Sequence, residues 1–180
     1  MKVSINELKF AVRWAALGRN VPPGLADEFA NAAGVIASLE TDPIGPIIEA
    51  LELLPTDYQW GQLQLDYQGS MLKIQGHPSV IEIAPVIGDA IRLHFQVTFT
   101  SGPPDNTLLV GYLHPLRPKI GLVPWMPDHF FYMTTTLLGQ SIELTEYNWT
   151  ALWQYTMKAL TPATEASRLT GAGTGLDDNE

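Results

Sequence analysis

The opening forty or so residues constrain the fold most, because they specify a helical hairpin almost residue by residue. Ser4 and Glu7 stand at the S-x-x-E spacing of a capping box. In that motif the Ser hydroxyl takes the backbone N–H of Glu7, and the Glu carboxylate takes the N–H of Ser4. Val3 and Leu8 flank the box at the positions of a hydrophobic staple. On a wheel of about 100° per residue, residues 5–17 leave Asn6, Lys9 and Arg13 on one narrow polar strip. Ile5, Leu8, Phe10, Val12, Trp14 and Leu17 occupy most of the rest. A surface helix needs only one apolar stripe, so this helix is expected to be covered on two sides, the second by a sheet of the same chain or by another subunit.

After Gly18, Pro22 and Pro23 favour a second helix start, with Asp27 and Glu28 early enough to complement its dipole. Ala26, Ala30, Ala33 and Ala37 form a ridge of small side chains along it, and Ala11 and Ala15 offer a matching surface on the first helix. The two can approach toward the lower end of the usual interaxial range of about 8–10 Å. An αα-hairpin is the plain reading; a helical dimerisation surface is the sharper one. A third helix is predicted over Pro46–Leu54, closed by Pro55.

From Tyr58 the apolar period changes to two. Leu63 and Leu65, then Leu72 and Ile74, alternate with polar neighbours, and residues 91–100 alternate throughout. That last run places Arg92, His94 and Gln96 on one face of a strand, with Ser101–Asn106 turning into a second strand over Thr107–His114. A hairpin with one wet face argues for an antiparallel sheet. Four prolines between 115 and 127 suit an ordered loop or edge segment, and Phe130–Leu138 and Ser141–Thr145 return to strand. Asn148 then caps a helix through Leu160. The expectation is an α+β chain in one domain, residues 1–180: helical over 1–55, β-rich with a mainly antiparallel central sheet over 58–145, helical over 148–170, and a Gly-rich tail over 171–180.

Composition narrows the functional classes. At 180 residues and 46% hydrophobic the chain can bury one sizeable core, and 16% charged residues argues against a largely disordered chain. A net charge of −9 with ten scattered Lys and Arg predicts no nucleic-acid partner. The absence of cysteine excludes disulfides, thiolate nucleophiles and cysteine metal sites, and fits a reducing cytoplasm. No signal-peptide or membrane-spanning run is present, so the reading is a soluble cytoplasmic protein with no membrane partner.

Candidate chemistry is sparse. His94, His114 and His129 would make a three-histidine metal site only if they converged; with no HxH, HExxH or HxxxH spacing, no metal site is predicted. Asp128 and His129 are adjacent, which on a strand sends them to opposite faces and makes them poor triad partners. Gly171-Ala-Gly173-Thr-Gly175 follows a helical segment and lacks the strand-before, helix-after context of a phosphate loop, so no cofactor is expected. Asp177, Asp178 and Glu180 could bind a cation or cap a neighbouring subunit. Trp125, Phe130, Phe131 and Tyr132 are candidates for a pocket lining or for plain core. The candidate ligand-binding residues are Arg92, His94, His129 and Arg168, the last able to hold a carboxylate or phosphate in bidentate fashion.

Val3-Ser-Ile-Asn-Glu-Leu8, Gly24-Leu-Ala-Asp-Glu28 and the terminal S-R-x-x-G-A-G-x-G-L motif of residues 167–176 resemble a bacterial family known only as a domain of unknown function. The resemblance covers the two ends of the chain and little of the middle. It implies an intracellular bacterial single-domain protein and carries over no activity or catalytic residue.

Three functions compete. The leading one is a self-associating binding or accessory protein, a homodimer, resting on the excess apolar surface of the first helix. The second is a small enzyme with a pocket between the sheet's polar face and the tail, using His94, His129 or Arg168. The third is a stabilising subunit partnered with a larger enzyme.

Overall fold

The first capping box closes completely. Ser4 Oγ accepts from the Glu7 N–H at 3.1 Å, and Glu7 Oε2 accepts from the Ser4 N–H at 2.8 Å. These bonds are seen in a computed structural model that describes residues 1–39, 42–103, 106–116, 122–126 and 141–160. Helix α1 spans Ile5–Leu17 and helix α2 Pro23–Ser38. Ala11 and Ala15 are buried against α2, whose ridge of Ala26, Ala30, Ala33 and Ala37 is buried as well. Gly34 lies so near α1 that a Cβ there would sit 3.1 Å from the Lys9 side chain and 3.3 Å from Ile5. The predicted hairpin is therefore tight, and Arg13 adds an ion pair to Asp27 across it.

Within the chain, the second cover of α1 is a helix and not the sheet. It is helix α6, Glu146–Leu160, from the far end of the chain. Thr156, fully buried, donates to the Ala11 carbonyl at 2.9 Å, and Gly18 lets the end of α1 approach Tyr155 O, 3.0 Å from where a Cβ would be. Helix α6 begins two residues before the expected Asn148. Thr145 Oγ1 accepts from the Asn148 N–H, and the Asn148 side chain instead donates to Asp42. Beside it, strands β1, Lys2–Ser4, and β5, Ser141–Glu143, pair antiparallel and join the chain's two ends.

The third helix, α3, runs Ile44–Glu52, two residues earlier than predicted, because the Asp42 carboxylate accepts the Ile44 N–H. Strands β2, Leu65–Gln68, and β3, Met71–Ile74, fall where the period-two alternation was read, and they pair as an antiparallel hairpin with Gly69 at φ +59° in the two-residue turn.

The segment expected to be β-rich over 58–145 also holds two helices. Helix α4 spans Val80–Arg92, capped by Ser79 Oγ at the Ile81 N–H. Its Ile81, Ile83, Ile87 and Ile91 are buried, and the alternation read from residue 91 onward began on its last turn. Only Gln96–Phe99 is strand, β4, and it pairs with β3 in parallel. Thus β3–α4–β4 is a crossover unit of the kind parallel strands require, and the three-stranded sheet is mixed. Its Leu72, Ile74 and Val97 are all fully buried.

Nor is Thr107–His114 a strand. Residues Asn106–Leu113 form helix α5, and His114–Leu116 a 3-10 turn. A short, wholly apolar run fits a buried helix or a buried strand equally well by period. Gly111 shows what settles it: α5 crosses α2 so closely that a Cβ there would stand 2.5 Å from the Ala32 carbonyl oxygen. The hairpin expected between residues 91–100 and 107–114 is absent. The chain is α+β, with α1, α2 and α6 on one side of a core cluster that also takes in α3, α4, α5 and the mixed sheet. No described helix is long and apolar enough to cross a membrane.

Candidate functional site

The sequence candidates do not assemble. Arg92 is on the last turn of α4, well exposed, and its Nη1 donates to Asp89 at 2.7 Å. His94 follows the helix in the left-handed region, φ +64°, and is exposed; its backbone N–H donates to the Ile91 carbonyl. Neither side chain lies on a polar sheet face, because Arg92 is helical and β4 begins only at Gln96. His129 and Arg168 lie outside the described residues, as do Asp128, Phe130, Phe131 and Tyr132, the strand expected over Phe130–Leu138 and the Gly-rich tail with its acidic residues. Among the described residues no three His, Asp or Glu side chains gather at metal-binding distance. Trp125 is a core residue: its Nε1 donates to the Val97 carbonyl at 3.0 Å, and its ring meets Phe99 edge-on at 5.1 Å.

Among the described residues a concavity opens elsewhere, between α3 and the starts of α4 and α5. It has a volume of about 400 Å³, and its wall is mostly apolar, with Pro46, Ala50, Leu53, Val80 and Leu108 among the lining side chains. One edge is polar and carries Tyr58, His77 and Ser79; Glu49 stands on the α3 side.

That polar edge is built around a buried carboxylate. Glu82, 5% exposed, sits in the first turn of α4, where the helix dipole favours a negative charge. Its Oε2 accepts from Tyr58 Oη at 2.5 Å and its Oε1 from the Gly61 N–H at 2.5 Å. Tyr58 Oη in turn accepts from the Ser79 N–H at 3.2 Å. Gly61 reaches this position in a left-handed conformation, φ +79°, which glycine adopts without strain. Trp60 stacks its edge against Tyr58 at 4.7 Å. The loop after α3 is thereby pinned to the head of α4. Burial, and then the hydrogen bond to Glu82, push the Tyr58 hydroxyl up to about 12, so it stays a neutral donor at physiological pH.

Chemically, this network is closed. Both Glu82 oxygens have donors, Tyr58 Oη both donates and accepts, and Ser79 Oγ is committed to the cap of α4. His77 is exposed on the rim, where its imidazole can meet a polar group of a molecule held below. Sequence reasoning missed Tyr58, Ser79 and Glu82. A signal existed, since Ser79-Val-Ile-Glu82 repeats the S-x-x-E spacing of Ser4 and Glu7. Comparison with protein-family models, with curated proteins and with solved structures finds no match to this chain.

Proposed function

We propose that this chain is a binding protein whose α3–α4–α5 cleft takes a small, largely apolar molecule with one polar group at its rim. The observation that carries this reading is the closed network around Glu82: Tyr58, Ser79 and Glu82 at the cleft edge are held by structural hydrogen bonds, while the wall beside them is apolar and open. Small-molecule sites combine such a wall with a few orienting polar groups. Here His77 and Glu49 would orient, and Leu53, Ala50 and Leu108 would supply contact. A titration of labelled protein with n-hexanol and with hexanoate, followed by amide NMR, tests it. Saturable shifts confined to residues 46–58 and 77–80 are expected, and they should vanish in Leu53→Glu. An absence of saturable shifts with both probes overturns the reading.

Self-association stands as a second reading, now supported by α6 rather than α1. Along a flank of the helix, partly packed on the core, Trp149 and Trp153 stack at 5.6 Å, and Met157 and Leu160 are 46% and 40% exposed. Phe10 on α1 is 48% exposed. Light scattering at micromolar concentration decides it: a dimer is expected, and Trp153→Glu should give a monomer of unchanged helicity. A wild-type monomer across that range removes it. Membership of the bacterial family that the two ends resemble is consistent with either reading and chooses neither.

A further inference from the structure

Further along α4 from the Glu82 network, a second cleft of about 270 Å³ lies between α2, α4 and α5. Its floor is opened by small residues, Ala32 and Gly111 at the helix crossing and Gly88 on α4. Tyr112 lines the cleft, and its hydroxyl is buried and meets no hydrogen-bond partner among the described residues. Buried polar atoms are nearly always partnered, so a single orphan of this kind asks what completes it. Burial, and then the nearby Glu28 carboxylate, hold the Tyr112 hydroxyl well above its usual range. The phenol is therefore neutral, with its oxygen lone pairs available, and Glu28 is close enough to sense it.

The charges around the cleft are unequal. Arg92 is neutralised by Asp89 on the same helix at 2.7 Å. Glu28 makes no ion pair among the described residues. Pro85, which also lines the cleft, has no N–H, so the Ile81 carbonyl one turn back lacks its usual intrahelical donor. The cleft thus brings together a carboxylate with no ion pair among the described residues, a phenol oxygen and the Asn31 side-chain oxygen. A ligand that completes them brings several N–H donors and a positive charge.

We propose that the α2–α4–α5 cleft is a binding site for a small primary ammonium compound, its nitrogen donating to Tyr112 Oη and pairing with Glu28. Its short carbon chain lies against Val35 and Pro85. The site is independent of the α3–α4–α5 cleft, so the two proposals fail separately.

Calorimetric titration with n-butylammonium, against n-butyrate as the same skeleton with the opposite charge, tests it. Work at about 0.15 M salt suppresses loose attraction to the acidic surface. Wild-type protein is expected to bind butylammonium with a Kd below about 1 mM, which is within reach of a five-atom ligand. Butyrate should not bind. Tyr112→Phe and Glu28→Gln should each weaken butylammonium at least about tenfold, while the ligand-free Tyr112→Phe protein melts no lower than wild type, having lost an unpaired polar atom. Equal binding by Tyr112→Phe, or binding of butyrate, overturns the proposal. So does a Tyr112→Phe protein that melts lower and a wild type that ignores butylammonium, the result expected if Tyr112 is completed by a bridging water only.

Discussion

Two helices of this chain start with the same four-residue spacing, and they spend it differently. At Ser4-Ile-Asn-Glu7 the carboxylate turns back to its own cap, in water, and closes a local box. At Ser79-Val-Ile-Glu82 the serine still caps, now at the Ile81 N–H, but the carboxylate is buried and reaches 21 and 24 residues back to Gly61 and Tyr58. The difference is one of available donors. A capping glutamate on an exposed helix start has only the cap N–H within reach. A glutamate over which a loop has folded is offered a phenol and a backbone N–H, and it must take them, because an unpaired buried carboxylate is costly. A helix-start motif has become a tertiary clamp and one edge of a cleft.

The largest expected effect comes from removing the clamp. Glu82→Ala strands Tyr58 Oη and the Gly61 N–H and should cost about 3 kcal/mol by urea denaturation. A loss below about 1 kcal/mol would mean the network contributes little beyond a surface cap. Tyr58→Phe keeps the ring against Trp60 and removes one bond to Glu82. It should cost about 1–2 kcal/mol, and a double-mutant cycle with Glu82 should show coupling of at least about 0.5 kcal/mol. The two serines sharpen the comparison from the other side. Ser4→Ala and Ser79→Ala should each cost about 1 kcal/mol, because in both helices the serine hydroxyl satisfies one otherwise unpaired N–H of the first turn. A much larger loss at Ser79 would show that the cap and the clamp act as one unit.

The smallest effects are those of pH. The Glu7 carboxyl is held below its usual range by the Ser4 backbone N–H and then by the Ser4 hydroxyl. Its folded pKa is thus below the unfolded one. The stability it adds is present above the unfolded value and lost as pH falls through the folded one. Tyr58 runs the opposite way. Its hydroxyl is raised to about 12, so its stability is present below the ordinary tyrosine value and lost as pH climbs from about 10 toward 12. Phenolate absorbance during alkaline titration should show Tyr58 and Tyr112 among the tyrosines that ionise late, and Tyr58→Phe should remove one tyrosine from that late phase while leaving the acid limb unchanged.

How much of this was legible in the sequence follows the range of the forces involved. The capping box, the alanine ridge and the alternation of β2 and β3 are local, and each was readable because its signal lies within a few turns of chain. The α+β class was readable too. The strands expected at 91–100 and 107–114 failed where local pattern is ambiguous. Ile91 belongs to a helix buried on nearly every side, and the Asn106–Leu113 run reveals itself as helix only through Gly111 against Ala32. The α3–α4–α5 cleft was not legible at all. It depends on Glu82 meeting Tyr58, and nothing in the spacing of those residues announces a bond between them. Arg92 was singled out for a strand face that does not exist, yet it borders the cleft that holds Tyr112.

The pairing of α1 with α6 has a consequence in time. Thr156 bonds to Ala11 across 145 residues, and β1 joins β5 over a similar separation. During synthesis at about 5–20 residues per second, α1 emerges first and can meet α2 at once. Its other apolar side must wait several seconds until α6 has left the ribosome. Through that interval the nascent chain carries a formed helical hairpin with one face uncovered. The slow, non-local closure of the two ends, rather than the well-specified hairpin, should therefore set both the folding rate and the window in which the chain is open to aggregation.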